Sequence, residues 1–146
     1  MEPLTTLSIM DRVLWLRRVP LLADLSPADL QRITSISTEL DFLDGDVICE
    51  QDEPGDEMYV IISGDVRVVV SHNGESEKEI AHRKAGDVVG EMSLISGDPR
   101  IASVIAVGDV RTLCLDRLSF ESLLRERPEV SMAVMRELCK RLKQLV

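Results

Sequence analysis

Between Gly90 and Arg100 the chain gathers an acid, a base and a short apolar run, and that set suits an anionic ligand. Glu91 follows Gly90 directly. Glu91 to Ser96 is long enough for one helical turn or slightly more, Gly97 ends it, and Pro99 turns the chain into Arg100. So short a helix, set between two strands, stabilises itself poorly and needs outside support. Its unpaired N-terminal amides can serve an anion, and at Gly90 no side chain blocks the approach. Arg100 offers a rigid planar fork matched to a phosphate. Glu91 is acceptor-only, so beside an anion it suits hydroxyls such as a sugar diol. Together they ask for one ligand with a phosphate and a free hydroxyl. Each residue also has a plainer reading: Arg100 as a surface arginine paired with Asp98 or Asp87, Glu91 as a helix-end carboxylate.

These residues need a frame. Residues 36–116 alternate short β-branched runs with turn clusters, the pattern of a barrel, roll or sandwich. Val47, Ile48 and Cys49 form one run. Met58–Ile62 and Val66–Val70 are predicted to pair as a hairpin closed at Ser63-Gly64-Asp65, with the glycine supplying positive φ. Ser71 to Ser76 makes a polar hairpin tip, and further strands are expected at Lys78–His82, Val88–Val89, Ser103–Val107 and Val110–Leu115. Residues 4 to about 35 read as helical. Met10, Val13, Leu14 and Leu16 make one apolar face, and Pro20 stops that helix. Ser26 caps a second helix, with Pro27 at its first position and Asp29 at its positive end. After Asp116 the helical period returns, with Leu118, Phe120, Leu123 and Leu124 spaced over Arg117 to Arg127. A last helix opens at Pro128, with Val130, Met132, Val134, Met135, Leu138, Leu142 and Val146 on or near one face. Its charges run from Glu129 to Lys140, Arg141 and Lys143, which suits the helix dipole.

A length of 146 residues fits a single domain, residues 1–146. With 45% hydrophobic and 29% charged residues the chain is globular rather than disordered. Aromatics are only 3%, which leaves the core to Val, Ile, Leu and Met. A formal net charge of -9 argues against nucleic-acid binding by this chain. No apolar run is long enough to span a membrane. Met1-Glu2-Pro3 lacks the features of a signal peptide, so a cytoplasmic location is expected. Cys49, Cys114 and Cys139 are too scattered for a disulfide frame or zinc knuckle and are expected to be reduced, buried thiols. His72 and His82 are read as solvated, with no metal site. Ser93 has no base partner and no paired catalytic groups stand out, so the chain is read as a non-enzyme.

The segment around Arg100 resembles the cyclic nucleotide-binding domain family, which includes the catabolite activator protein and protein kinase A regulatory subunits. That family's phosphate-binding cassette starts Gly-Glu, continues through a short apolar helix, and ends Pro-Arg before small residues. Gly90-Glu91, Met92–Ser96, Pro99-Arg100 and Ala102 match it at that spacing. The likeness extends through Gly45-Asp46, Pro54-Gly55-Asp56, Tyr59-Val60-Ile61, Gly64 and Gly86-Asp87. It implies a mainly β fold: an eight-stranded β-roll (a jelly-roll-like double-stranded β-helix) over 36–116, with the cassette at 86–104. N-terminal helices over 1–35 and two C-terminal helices over 117–146 flank it.

The resemblance further implies that Gly90, Glu91, Met92, Ser93, Pro99, Arg100, Ile101 and Ala102 bind the ligand. Arg100 would hold the exocyclic phosphate oxygens and Glu91 the ribose 2′-hydroxyl, with backbone contacts from Gly90, Met92, Ile101 and Ala102. Ile101 stands where many cGMP-binding members have threonine, which favours cAMP over cGMP; no further cofactor is implied. Asp52 replaces a frequent turn glycine but tolerates a left-handed conformation. The last helix would cover the base. Arg136, Leu138, Lys140 and Leu142 are candidates, and Leu138 and Leu142 are preferred as apolar caps. The implied function is a regulatory sensor that binds a cyclic nucleotide and signals through its terminal helices. Its partner would be an output domain of a larger protein, or a separate subunit. A homodimer through the last helix is a further expectation. The alternative is a degenerate fold that serves as an interaction module without nucleotide, for which Ile101 and Asp52 speak. A DNA-binding regulator would need a helix-turn-helix beyond Val146, and the acidity disfavours it.

Overall fold

In the computed structural model, which describes residues 7–146, two 14-residue strands organise the sheet and both are bent. The chain runs α1 (Ile9–Arg17), α2 (Pro27–Ile36), β1 (Thr38–Phe42), β2 (Val47–Cys49), β3 (Glu57–Val70), β4 (Lys78–Lys84), β5 (Val88–Val89), α3 (Glu91–Ser96), β6 (Ser103–Asp116), α4 (Arg117–Glu126) and α5 (Pro128–Gln144). It divides into two units: Thr38–Arg117, and the residues up to Ser37 together with Leu118–Val146. Part of the helical reading from residue 4 falls on residues 4–6, outside the described ones.

In the strand unit the order is β1-β6-β3-β4, all antiparallel, with β2 also on β6 and β5 also on β3. The two halves of β3 pair with different short strands, and so do the two halves of β6. Counting halves turns six continuous strands into the eight of the expected roll.

The hairpin expected at Ser63-Gly64-Asp65 does not form. Both runs belong to one strand, β3, whose register against β6 shifts between Ile61 and Ser63 and again between Ser63 and Asp65. Gly64 sits at φ +96°, and a Cβ there would lie 2.4 Å from the Asp109 carbonyl oxygen. The glycine therefore makes a bulge against β6 instead of a turn. The bulge switches which residues face inward: Tyr59 and Ile61 before it, Val66 and Val68 after it. Likewise Ser103–Val107 and Val110–Leu115 are one strand, bent near Gly108 at φ +75°. The polar tip forms as expected, with Asn73 and Gly74 both at positive φ and Glu75 N–H donating to the His72 carbonyl at 2.9 Å. Ile48, Tyr59, Ile61, Val66, Val89, Val104, Ala106 and Val110 fill the core, and Phe42 meets Tyr59 edge-on at 5.8 Å. β1 escapes sequence reading because Thr-Glu-Leu-Asp-Phe buries little and pairs on one side only.

In the helical unit, Ser8 caps α1 and Ser26 caps α2, each accepting from the backbone N–H three residues on. The apolar face of α1 needs correction. Val13 and Leu16 are buried, but Met10 and Leu14 are exposed. The buried pair leads into Val19, Leu21 and Leu22, so the connector rather than the helix carries most of the burial. Asp29 is buried and its carboxylate meets Arg127 at 3.0 Å. In α5, Val130 and Val134 are buried, Leu138 is half-buried, and Met132, Met135 and Leu142 are exposed. The single face expected there is therefore two: one at 130, 134 and 138, another at 132, 135, 139 and 142. Cys139 lies on the second and is exposed, contrary to the buried thiol expected. All three cysteines are free. Among the described residues no helix is long and apolar enough to cross a membrane.

Candidate functional site

α3 exists because its ends are special. Gly90 and Gly97 flank it in the left-handed conformation, at φ +83° and +81°. The Gly97 N–H closes the last turn on the Ser93 carbonyl at 2.9 Å. Gly90 answers a second demand: a Cβ there would sit 2.4 Å from Arg100 Nη1 and 2.9 Å from the Glu57 carbonyl oxygen. The support that so short a helix needs comes from two arginines.

The first is Arg100. It is 7% exposed, which removes the reading as a surface arginine paired with Asp98 or Asp87. Nη1 donates to the Gly90 carbonyl at 3.1 Å and Nη2 to the Glu57 carbonyl at 2.7 Å. Its backbone is held as firmly. The Arg100 N–H donates to the Glu53 carbonyl at 2.9 Å, and the Arg100 carbonyl accepts from Asp52 N–H at 2.8 Å. Asp52 takes the left-handed conformation, φ 70°, so the turn survives without glycine. One residue thus ties the 52–53 turn, the start of β3 and the head of α3 together. A guanidinium carries five N–H donors, so two bonds to carbonyls leave it able to donate further.

The second is Arg117, which sequence reading passed over. Nη2 donates to the Gly55 carbonyl at 2.7 Å and the Ser93 carbonyl at 2.8 Å; Nη1 lies 3.8 Å from Asp56 Oδ1. The loop it grips touches α3, since a Cβ on Gly55 would fall 2.1 Å from Ser93 Cβ. No local pattern marks Arg117, because its partners lie 62 and 24 residues away.

Glu57 supports the wall from behind. Its carboxylate accepts from the Tyr59 hydroxyl and lies 3.9 Å from the Cys114 thiol. Burial, reinforced by that carboxylate, raises Tyr59 above its ordinary range and pushes Cys114 up to about 12. Burial likewise pushes Cys49 to about 11, though nearby Arg100 pulls the other way. Both thiols stay protonated at neutral pH and are poor nucleophiles.

These walls enclose a hollow of about 200 Å³. Of the residues expected to bind ligand, Gly90, Glu91, Met92, Ser93, Arg100, Ile101 and Ala102 line it. Pro99 does not; it is exposed, and its fixed φ turns the chain into Arg100. All lining residues come from the strand unit. Leu138 and Leu142 belong to the helical unit, on α5. Sequence reading missed the opposite wall, where Val68, Ile80, Ala81, Arg83 and Val88 line the hollow. In sequence they look like ordinary strand residues. Among the described residues no cluster of His, Cys, Asp or Glu is grouped to hold a metal ion.

A family model for the cyclic nucleotide-binding domain matches residues 39–127. The chain is 30% identical over 135 residues to a CRP-like cAMP-activated global transcriptional regulator of Mycobacterium tuberculosis. That match covers 92% of this chain and 59% of the relative. The N-terminal domain of a transcriptional regulator from Streptomyces coelicolor A3(2) superposes with a TM-score of 0.81 at 30% identity, over 90% of this chain and 94% of that one. The regulatory domain of Toxoplasma gondii PKA, crystallised with cAMP, superposes with a TM-score of 0.80 at 28% identity, over 93% of this chain and 50% of that one.

Proposed function

We propose that this chain, which belongs to the cyclic nucleotide-binding domain family, is a regulatory module that binds cAMP in the hollow beside α3. The observation that carries this reading is Arg100, a buried guanidinium at the head of α3 that lines the hollow. Its remaining N–H groups take the exocyclic oxygens of the cyclic phosphate, and the α3 amides complete that end. Glu91 accepts from the ribose 2′-hydroxyl. Gly90, Met92, Ser93, Ile101 and Ala102 supply backbone and shape. A volume of about 200 Å³ is below the ~300–1,000 Å³ of sites that engulf drug-sized ligands. The sugar and phosphate are therefore enclosed, and the base extends outward. Ile101 has no hydroxyl to offer a guanine, which favours cAMP, and named relatives use cAMP. Leu138 and Leu142 are the residues of α5 assigned to cap the base.

The chain spans 59% of the length of the mycobacterial relative. Its output is accordingly a further domain or a partner subunit, reached through the terminal helices. On α5 the exposed Met132, Met135, Cys139 and Leu142 recur at three- and four-residue steps, the spacing of a coiled-coil seam, which supports a homodimer through that helix. On this reading the module is a binder, not an enzyme, and works in the cytoplasm, where free buried thiols such as Cys49 persist.

Calorimetric titration of cAMP tests this. Wild type binds, and Arg100→Ala loses about 2–5 kcal/mol, as when one partner of a buried charge pair is removed. Because Arg100 also anchors backbone, Glu91→Gln is measured beside it and weakens binding without disturbing those bonds. Equal affinities in all three proteins, or no binding by wild type, would defeat the assignment and favour the nucleotide-free interaction module.

A further inference from the structure

Behind the seat meant for an anion stands an acid to which the binding account gives no role. Glu57 opens β3 two residues before Tyr59, and residues two apart on a strand point to the same face. Tyr59 faces the core, so the Glu57 side chain is directed into the roll as well. Its contacts agree. The Glu57 carboxylate accepts from the Tyr59 hydroxyl and lies 3.9 Å from the Cys114 thiol, and both partners belong to that core. The Glu57 carbonyl accepts from Arg100 Nη2 at 2.7 Å. Charge carries from Glu57 to the hollow too. Cys49 lines it; burial raises that thiol most, Arg100 then pulls it down, and Glu57 and Glu91 push it up. Arg100 and Glu57 thus act with opposite sign on one sulfur of the lining. Asp56, the preceding acid, is exposed and sits 3.8 Å from Arg117 instead.

A buried cation without a negative charge near it is costly. Arg100 is 7% exposed, and its two side-chain bonds go to neutral carbonyls. Resting on the reading that Arg100 receives the phosphate, we infer that Glu57 is the internal counter-charge of the empty site and sets its affinity for nucleotide. With no nucleotide bound, the half-buried carboxylate offsets the Arg100 charge from behind. When a phosphate arrives, two negative charges share one guanidinium, and Glu57 opposes binding. The Tyr59 hydroxyl holds the carboxylate against the core, so it acts from a fixed place and does not swing into the seat. Glu57 and Tyr59 are therefore positioning residues that work through Arg100. The module answers to a higher nucleotide concentration than its phosphate seat alone would set.

The test is calorimetric titration of cAMP at one fixed ionic strength, with urea denaturation of the nucleotide-free chain beside it. Glu57→Gln removes the charge and keeps an acceptor for the Tyr59 hydroxyl. It is expected to tighten cAMP about three- to tenfold, the effect of one unit charge acting through a partly buried site. The same change is expected to lower the stability of the nucleotide-free chain. A merely structural residue would not move the two in opposite directions. Glu57→Met combined with Tyr59→Phe replaces both polar partners by apolar groups, which is near neutral for folding. It is also expected to tighten cAMP, and it decides the matter where Glu57→Gln does not fold. Tyr59→Phe alone leaves the charge in place and is expected not to tighten binding. Lower stability without tighter binding would make Glu57 structural and overturn the inference. So would unchanged or weaker binding in both charge-free proteins. A wild type that binds no cAMP removes the phosphate reading itself; a wild type that binds, with Arg100→Ala weakened and Glu57→Gln unchanged, removes this inference alone.

Discussion

The two walls of the hollow are built on opposite plans. On the α3 side, Arg100 is buried, makes two side-chain and two backbone bonds, and sits against a glycine that leaves no room for a methyl group. On the β4 side, Arg83 is exposed and bonded only to its neighbour, amid Ile80 and Ala81. The first wall is over-determined and cannot shift without breaking several contacts. The second can change residue by residue at little cost to the fold, since it lies on a sheet edge. On the proposed reading, that division gives the sugar-phosphate end of a nucleotide a fixed seat at α3.

The contrast breaks most visibly at Gly90. Gly90→Ala brings a methyl group onto Arg100 Nη1 and demands positive φ from alanine, costing about 2–4 kcal/mol of stability from strain plus overpacking. Gly97→Ala is the matched control. It has the same sign of φ but nothing nearer than 4.0 Å, so it should cost only the ~1–2 kcal/mol of the left-handed penalty. Urea denaturation of the two variants measures the difference; equal losses would show that Arg100 does not fill the space beside Gly90.

Arg117→Gln sharpens the comparison at intermediate size. It strips the carbonyls of Gly55 and Ser93 of a shared donor and should cost about 1–3 kcal/mol. Nucleotide affinity should fall with it, because the lost bonds hold α3. An affinity equal to wild type would place Arg117 outside the binding apparatus.

The smallest effect concerns alkaline pH. Cys49 and Cys114 titrate near 11 and 12 in the folded chain against an ordinary 9.0. Their folded values are raised, so the stabilisation is complete below pH 9 and is lost as pH climbs toward 11 and 12. The melting temperature should therefore fall across that range, and Cys114→Val should flatten the fall. A profile that Cys114→Val leaves unchanged would remove that thiol as the cause.

How much of this was legible in sequence depends on how far apart the partners lie. Gly90, Glu91, Gly97 and Arg100 fall within eleven consecutive positions, and each has a residue type with a narrow physical use: positive φ, a bare approach, a fixed charge. Their association could be read directly, as could the caps at Ser26 and Pro27. Gly64 shows the limit. Positive φ was foreseeable there, but turn and bulge both require it. Only the strand lying against it, β6 with the Asp109 carbonyl, chose the bulge.

The amino-acid order by itself determined the class of groups on the α3 side of the hollow, the alternation that makes strands, and the glycine-bounded short helix, because those properties live within a turn or two of chain. Tertiary structure alone decided that Arg100 spends its fork partly on the Glu57 carbonyl, that Arg117 clamps α3, and that Arg83 shares a face with Val66. Those outcomes follow from strand register. A slip of one residue would send every side chain of β4 to the opposite face with no change in local propensity.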